Sequence, residues 1–396
     1  MTTRREPDQR LSVFSAFTGL GGMDLGLESA GFCSVGCLET DHEAKLTLKA
    51  NRGDLWPLVG NGDIAVAASE LQPHDVGVGP GGLDLLAGAP PCQPFSKAAQ
   101  WTATARLGTA DARSTCLDHF FQLARRLQPR VLLLENVPGF VRGPTSQLTK
   151  LRVLTRELGR YCDAHYELDF RILNAADYGV PQNRHRAIIV ISRVGPFTWP
   201  SASDERRTAW DALHDAPAND RRPQARGKWA DLLPTIPPGE NYQWHTSRGG
   251  GCSIFGYRTR YSSFLRKLHP QQPSPTIAST IGPANGPFHW ANRPLSVWEM
   301  KRLQSLPSDW AIEGNTYAQV RQVGNATPPL LAEIMGRALA RHLDGAVPTN
   351  MLRLQLPRAA TACQLPPLPR RLPPKYSPLV GDHPDHPGAG MGPKPR

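Results

Sequence analysis

Short apolar runs, each broken by a polar or glycine-rich turn, set out the first half of the chain. The run at 11–17 breaks at Thr18-Gly19-Leu20-Gly21-Gly22 and passes into a helix-like stretch ending at Ala30. Further runs fall at 34–38, 83–87, 131–134 and 187–192, and a helical pattern is clearest at 116–127. The first of these ends at Glu39, the second at Gly88-Ala89-Pro90-Pro91 and the third at Glu135. Continuous apolar strands alternating with helices predict an α/β fold whose parallel sheet is covered on both faces. Ligands in such sheets bind at the carboxyl ends of the strands, where these polar features fall.

Beyond 195 the pattern changes. Residues 195–275 are rich in Pro, Arg, Gly, Trp and Tyr and have little helical period, and helical patterning returns at 297–306 and again from 329 to 342. The tail from 352 is Pro- and Arg-rich and predicts a segment without a packed core. The expected plan is an arm (1–10), a cofactor-binding domain (11–195), a smaller irregular domain with a hinge (196–317), a helix returning to the first domain (318–346) and a disordered tail (347–396).

Composition narrows the partners. Forty-five Lys and Arg against 34 acids leave a formal charge of +11, which favours a polyanion. With 40% apolar residues the chain can bury a sizeable core. Seven scattered cysteines, with no Cys-x-x-Cys, suggest neither a disulfide framework nor a metal cage, and no metal is expected. The charged N-terminus lacks the apolar centre of a signal peptide, and no run reaches the roughly 18 apolar residues of a membrane span, so a cytoplasmic protein is expected, with no membrane contact.

Phe17-x-Gly19-x-Gly21-Gly22 is a turn of the kind that lets a ligand approach the backbone at a helix N-terminus, although purely structural turns share it. Glu39 stands where an acid receives ribose hydroxyls in dinucleotide folds, and Asp63 is placed to accept from an adenine amine or to hold a turn. In Gly88-Ala89-Pro90-Pro91-Cys92-Gln93-Pro94-Phe95-Ser96, three prolines around one cysteine stiffen a loop that presents a thiol. A thiol with its ordinary pKa near 8.5 needs positive surroundings to act as a nucleophile, and Arg184 or Arg186 can supply them. Spacing two gives these arginines one side-chain direction on a strand.

In this order the elements resemble the cytosine-5 DNA methyltransferase family over roughly residues 11–345. The resemblance rests on Phe17 to Gly22, Pro91-Cys92-Gln93, Glu135-Asn136-Val137, Gln182 to Arg186, the stretch from Arg293-Pro294-Leu295 to Leu306-Pro307, and Gln322-Val323-Gly324-Asn325-Ala326. It implies a Rossmann-like, S-adenosylmethionine-dependent methyltransferase domain with a mostly parallel sheet, plus a smaller irregular target-recognition domain. It also implies that Cys92 attacks carbon 6 of a flipped-out cytosine, that Glu135 contacts the ring nitrogen and exocyclic amine, and that Arg186 holds the carbonyl oxygen beside Arg184. For the cofactor it implies Phe17 on adenine; Gly19, Gly21 and Gly22 at the methionine end; Glu39 on ribose; Asp63 on the adenine amine; and Asn325 closing the pocket.

Two departures stand out: Thr40 follows the ribose acid where many members have an aromatic residue, and Ser15 stands where some members carry an acid. Double-stranded DNA is the implied partner, contacted by Gln93, Ser96, Arg248, Arg258 and Arg260. Tyr242, Trp244 and Tyr261 are available in the same segment, and Gly249-Gly250-Gly251 reads as a flexible tip. Bacterial relatives commonly protect host DNA beside a cognate restriction endonuclease, and one active site per flipped base suits a monomer. The alternatives are an RNA cytosine-5 methyltransferase and an inactive DNA-binding relative.

Overall fold

The computed structural model describes residues 10–91, 115–203, 205–258, 261–280, 282–344, 351–363, 366 and 368–384. Six strands make one sheet: β1 (Leu11–Ala16), β2 (Phe32–Leu38), β3 (Leu85–Gly88), β4 (Val131–Asn136), β5 (Glu167–Asn174) and β6 (His185–Ser192). Their order is β2-β1-β3-β4-β6-β5, with β2, β1, β3 and β4 parallel and β6 antiparallel to both neighbours.

Alternate residues of the central strands enter two different cores. Val13, Leu85, Leu133 and Val190 face α1 (Gly22–Ser29) and the late helix Pro329–Asp344; Phe14, Leu86, Leu132 and Ile189 face the helices Ile64–Glu70, Cys116–Leu127 and Leu148–Tyr161. Each buried aliphatic side chain contributes roughly 2 kcal/mol, so strands apolar on both sides are stable only when covered on both sides. In chain order the helices are α1, α2 (His42–Arg52), α3 (Ile64–Glu70), α4 (Cys116–Leu127), α5 (Leu148–Tyr161), α6 (Ala209–Leu213), α7 (Val297–Leu303), α8 (Thr316–Asn325) and α9 (Pro329–Asp344).

The strand expected at 187–192 is present, and its direction is what matters. Because β6 runs antiparallel to β4, pairing Asn136 with Ala187 and Val131 with Ser192, its N-terminal end lies at the carboxyl edge of the parallel strands. β5 went unread in the sequence although Leu168, Phe170 and Ile172 alternate with Glu167, Asp169 and Arg171. It is an edge strand with partly exposed residues, and its signal is the period of two.

The segment between β6 and α7 has little regular structure but a core of its own, including Leu232, Leu233, Tyr242, Phe255, Phe264 and Phe288. At its centre the buried Lys267 ammonium donates to the carbonyls of Leu233 (3.1 Å) and Ile236 (2.7 Å) and to Asn292 Oδ1 (2.6 Å). Burial pushes its pKa down to about 8. A single side chain thus satisfies backbone acceptors that no strand partner reaches.

The described residues of the tail depart from the expectation of disorder. Leu356 is buried beside α6 and α7, the backbone N–H groups of Arg353 and Leu354 donate to the buried Glu333 carboxylate of α9 (2.9 Å each), and Tyr376 stacks on Trp229 with ring centres 5.8 Å apart. Proline-rich composition forecasts no helix or strand, yet scattered apolar anchors seat an extended strap on surfaces built by other segments.

Candidate active site and cofactor pocket

A cavity of about 630 Å³ opens at the carboxyl edge of the sheet, walled by the ends of β1, β2 and β4, the turn before α1, the start of β6 and the end of α8. Its volume suits a small molecule. Phe17, Gly19, Gly22, Glu39, Asp63, Glu135, Arg184, Arg186 and Asn325 all line it, so residues separated by up to 308 positions in sequence (325 minus 17) meet in one place.

The cofactor side is built on strained backbone. Phe17 has φ of 59°, rare for a residue with a side chain, and sits half-buried over the cavity. The glycines of the turn do something other than what their pattern suggests. A Cβ on Gly21 would lie 2.5 Å from the Trp56 ring, and one on Gly22 would lie 2.3 Å from the Thr327 carbonyl oxygen. These two positions let α1 seat against its protein neighbours, and Gly19, at φ 59° with nothing near its missing Cβ, is the open one. Glu39 spans the pocket floor, accepting the N–H of Gly19 (2.6 Å) on one oxygen and that of Asp41 (2.7 Å) on the other. A carboxylate has about four acceptor sites, so hydroxyls can still bind there. Asp63 caps α3 through the Ala65 N–H (2.8 Å) with one oxygen, and the other is not committed to the cap.

The opposite wall is formed by β4 and β6. Arg186 Nε lies 2.7 Å from Glu135 Oε1, both side chains being largely buried. That oxygen makes no directed hydrogen bond among the described residues. Asn136 Nδ2 donates to the Pro90 carbonyl (3.0 Å), fastening the base of the proline loop beside Glu135. Cys92, Gln93, Ser96 and Arg260 lie outside the described residues, but Ala89, Pro90 and Pro91, which lead into the first three of them, line the cavity. Spacing two did not give Arg184 and Arg186 the same role. Arg184 is fully buried, and its guanidinium donates to the carbonyls of Gly324 (2.9 Å) and Ile277 (3.4 Å), joining α8 and the second lobe to the sheet edge.

Three pocket residues escaped the sequence reading. Asn136 was seen only as part of a turn motif. Arg321, on α8, reaches Asp41 (2.7 Å) at the pocket rim, and nothing local marks it. Asp24 stands in the first turn of α1, where an acid ordinarily answers the helix dipole, so its burial was invisible.

In the second lobe Arg248 is exposed and stacks over Tyr257 at 4.0 Å, while the backbone of Arg258 is held by the Tyr242 hydroxyl, which accepts from the Arg258 N–H (3.1 Å) and donates to its carbonyl (2.8 Å). Tyr242 is fully buried in the lobe's core and is not available to a ligand. Nor is Gly249-Gly250-Gly251 a free tip: added Cβ atoms would meet the carbonyl oxygens of Gln243 and Trp244 at 2.3 Å and the Trp244 ring at 2.5 Å. The triplet is glycine because it packs on Trp244.

The family model for C-5 cytosine-specific DNA methylase matches residues 11–341. The chain belongs to that family. It is therefore a DNA (cytosine-5-)-methyltransferase that uses S-adenosylmethionine. It is 34% identical over 377 residues to the type II methyltransferase M.SacI of Streptomyces achromogenes, an alignment covering 85% of this chain and 94% of that one. It is 33% identical over 356 residues to the type II methyltransferase M.Eco47II of Escherichia coli, covering 84% and 79%. Among solved structures it resembles an E. coli prophage-encoded protein described as a DNA modification methyltransferase (TM-score 0.58, 22% identity, 84% of this chain and 99% of that one). It also resembles a Spodoptera frugiperda DNMT2 variant (TM-score 0.55, 14% identity, 83% and 99%). This methylase has no helix, among its described residues, long and apolar enough to cross a membrane. The residues present fit such a cofactor: an aromatic face, a floor carboxylate with spare acceptor capacity and, at Asp63, a capping acid with one oxygen outside the cap are the donor and acceptor set a nucleoside needs.

Proposed function

We propose that the protein methylates carbon 5 of one cytosine within a specific double-stranded DNA sequence, through a covalent adduct of Cys92 with a flipped-out base. The observation that carries this reading is the pairing of Glu135 with Arg186 on the wall of the same cavity that presents Phe17 and Glu39. A base and a nucleoside cofactor can then share one chamber. The cofactor supplies an electrophilic methyl group on a sulfonium.

Cytosine carbon 5 is a poor nucleophile until the 5,6 double bond is broken. The Cys92 thiolate bonds to carbon 6, and the electron pair of that double bond becomes available at carbon 5. Glu135, as the carboxylic acid, shares its proton with the ring nitrogen as negative charge develops there, accepts from the exocyclic amine and recovers the proton when the ring is restored, and Arg186 complements the carbonyl oxygen. Carbon 5 takes the methyl group as its bond to the sulfonium breaks, leaving S-adenosylhomocysteine; a water molecule then takes the proton from carbon 5, that C–H pair re-forms the 5,6 double bond, and the Cys92–carbon 6 bond breaks with its electrons returning to sulfur as the thiolate. Arg184 holds α8 and the second lobe around these groups and does not touch the base. Unstacking the target costs a few kcal/mol, to be recovered from phosphate and groove contacts. Arg248 and Arg258, with Gln93, Ser96 and Arg260, are assigned to those contacts.

The names of the relatives place them in type II modification, and host protection beside a cognate restriction endonuclease is the corresponding role here, carried out by a cytoplasmic monomer. The test is methyl transfer from labelled cofactor to unmethylated DNA by the intact enzyme and by Cys92→Ser, with bisulfite sequencing of the product. One short methylated context, lost in the variant, is expected. Label entering RNA and not DNA, or transfer surviving Cys92→Ser, overturns the reading.

A further inference from the structure

Asp24 is 4% exposed and lines the cofactor cavity from the first turn of α1. Its Oδ1 accepts a hydrogen bond from Ser15 Oγ, and its Oδ2 is buried without a hydrogen-bond partner among the described residues. A buried carboxylate oxygen left unpaired is costly, and native proteins keep one only where something else completes it. The groups facing Asp24 do not: Ser15 is neutral and bonded in turn to Thr18 (3.2 Å), and Glu28 and Glu39 add negative charge. Burial first, and Glu28 and Glu39 after it, push the Asp24 carboxyl up to about 6; burial first, with Asp24 and Glu39 after it, pushes the Cys37 thiol up to about 12. The arginines of the cavity are committed elsewhere, Arg186 to Glu135, Arg184 to carbonyls of α8 and the second lobe, and Arg321 to Asp41. Among the described residues, no cation answers this corner of the pocket.

We propose that Asp24 is the acceptor for the α-ammonium of the cofactor's methionine moiety. Ser15 occupies the β1 position where some members of the family carry an acid, and its hydroxyl holds Asp24 by Oδ1, leaving Oδ2 as the acceptor still to be filled; the negative charge is delivered from α1 in place of β1. The inference rests on the reading that this cavity takes the cofactor, whose only other cationic centre, the sulfonium, must face the target base. Asp24 is a binding residue for the amino-acid end and takes no part in the chemistry on cytosine.

The test uses two ligands and two proteins, read by calorimetry with no turnover. S-adenosylhomocysteine carries the amine; its deaminated analogue keeps the thioether and carboxylate. A charge-assisted hydrogen bond in a buried site is worth about tenfold to a hundredfold in affinity. Removing the amine is therefore expected to weaken binding to the wild-type enzyme by about that factor and binding to Asp24→Asn by less than about threefold. An equal loss in both proteins overturns the proposal, because a merely structural Asp24 would weaken both ligands alike. Exchanging the pair, Ser15→Asp with Asp24→Ser, puts the charge back at nearly the same point and is expected to restore the dependence on the amine. A folded exchange variant indifferent to the amine also counts against the proposal. Failure of the wild-type enzyme to bind either ligand would instead remove the cofactor reading itself.

Discussion

Single side chains in this pocket carry costs that the fold absorbs. For Asp24 the folded, cofactor-free protein holds its proton more tightly than the unfolded chain does, since burial raises the carboxyl from 3.8 to about 6. Charging it costs stability as pH rises from about 4 through 6, and the full cost, on the order of 3 kcal/mol, persists above that. Asp24→Asn keeps the shape and cannot ionise. Scanning calorimetry without cofactor should show it melting above the wild type at pH 8, with the gain shrinking to nothing near pH 4; a gain independent of pH would dissociate it from this charge. Glu135 behaves differently because it has a partner in Arg186 at 2.7 Å. Glu135→Gln is expected to lower kcat by about a hundredfold or more while leaving the affinity for S-adenosylhomocysteine within a fewfold. A parallel loss of cofactor affinity would show that the carboxylate shapes the pocket and not only the chemistry.

Among elements, the turn before α1 and the end of α8 are built against each other. A Cβ on Gly22 would sit 2.3 Å from the Thr327 carbonyl oxygen, which belongs to backbone and cannot swing aside. Gly22→Ala should displace the 326–327 turn, raising KM for the cofactor by about tenfold or more while circular dichroism of the sheet is unchanged. Unaltered KM would mean that α1 can shift without disturbing the pocket. β6 shows why direction counts. Pairing antiparallel with β4 delivers Arg186 to Glu135, and the residue two before it turns inward, where Arg184 ties Gly324 of α8 and Ile277 of the second lobe to the sheet edge. Arg184→Met leaves both carbonyls without their donor and is expected to cost on the order of 3 kcal/mol, seen as a large fall in melting temperature together with weaker cofactor binding.

Across the whole molecule, the strap at 351–384 touches both lobes. Glu333 anchors it on α9, Leu356 enters the core beside α6 and α7, and Tyr376 closes over Trp229 in the second lobe. Burial of Leu356 and Tyr376 contributes roughly 2 kcal/mol each. Deleting residues 351–396 should lower the melting temperature and open the region around 229–264 to limited proteolysis, whereas Tyr376→Ala should produce the second effect with less of the first. A truncated protein as resistant as the full chain would make the strap a passive passenger.

The local pattern alone determined where the pocket lies. Apolar runs ending at Glu39 and Glu135, and a glycine-broken turn after the first strand, predict a pocket at the carboxyl edge because a side chain's position along a strand sets which edge it reaches, and that much is written residue by residue. What the tertiary structure decided is everything that depends on partners distant in sequence. The reversal of β6 depends on strand pairing, so the separate duties of Arg184 and Arg186 follow from neighbours 51 or more positions away (186 minus 135). Tyr242, available to a ligand by its place in the sequence, is core, because the irregular lobe buries its aromatics without a period to announce them. The strap looked like a chain with nothing to bury, because its few anchors find their burial on surfaces made elsewhere. Nothing local singles out Asp24, an acid in a first helical turn; only the closing of β1, α1 and α8 around it removes water, and desolvation raises the proton affinity of an otherwise ordinary carboxylate on the cavity wall.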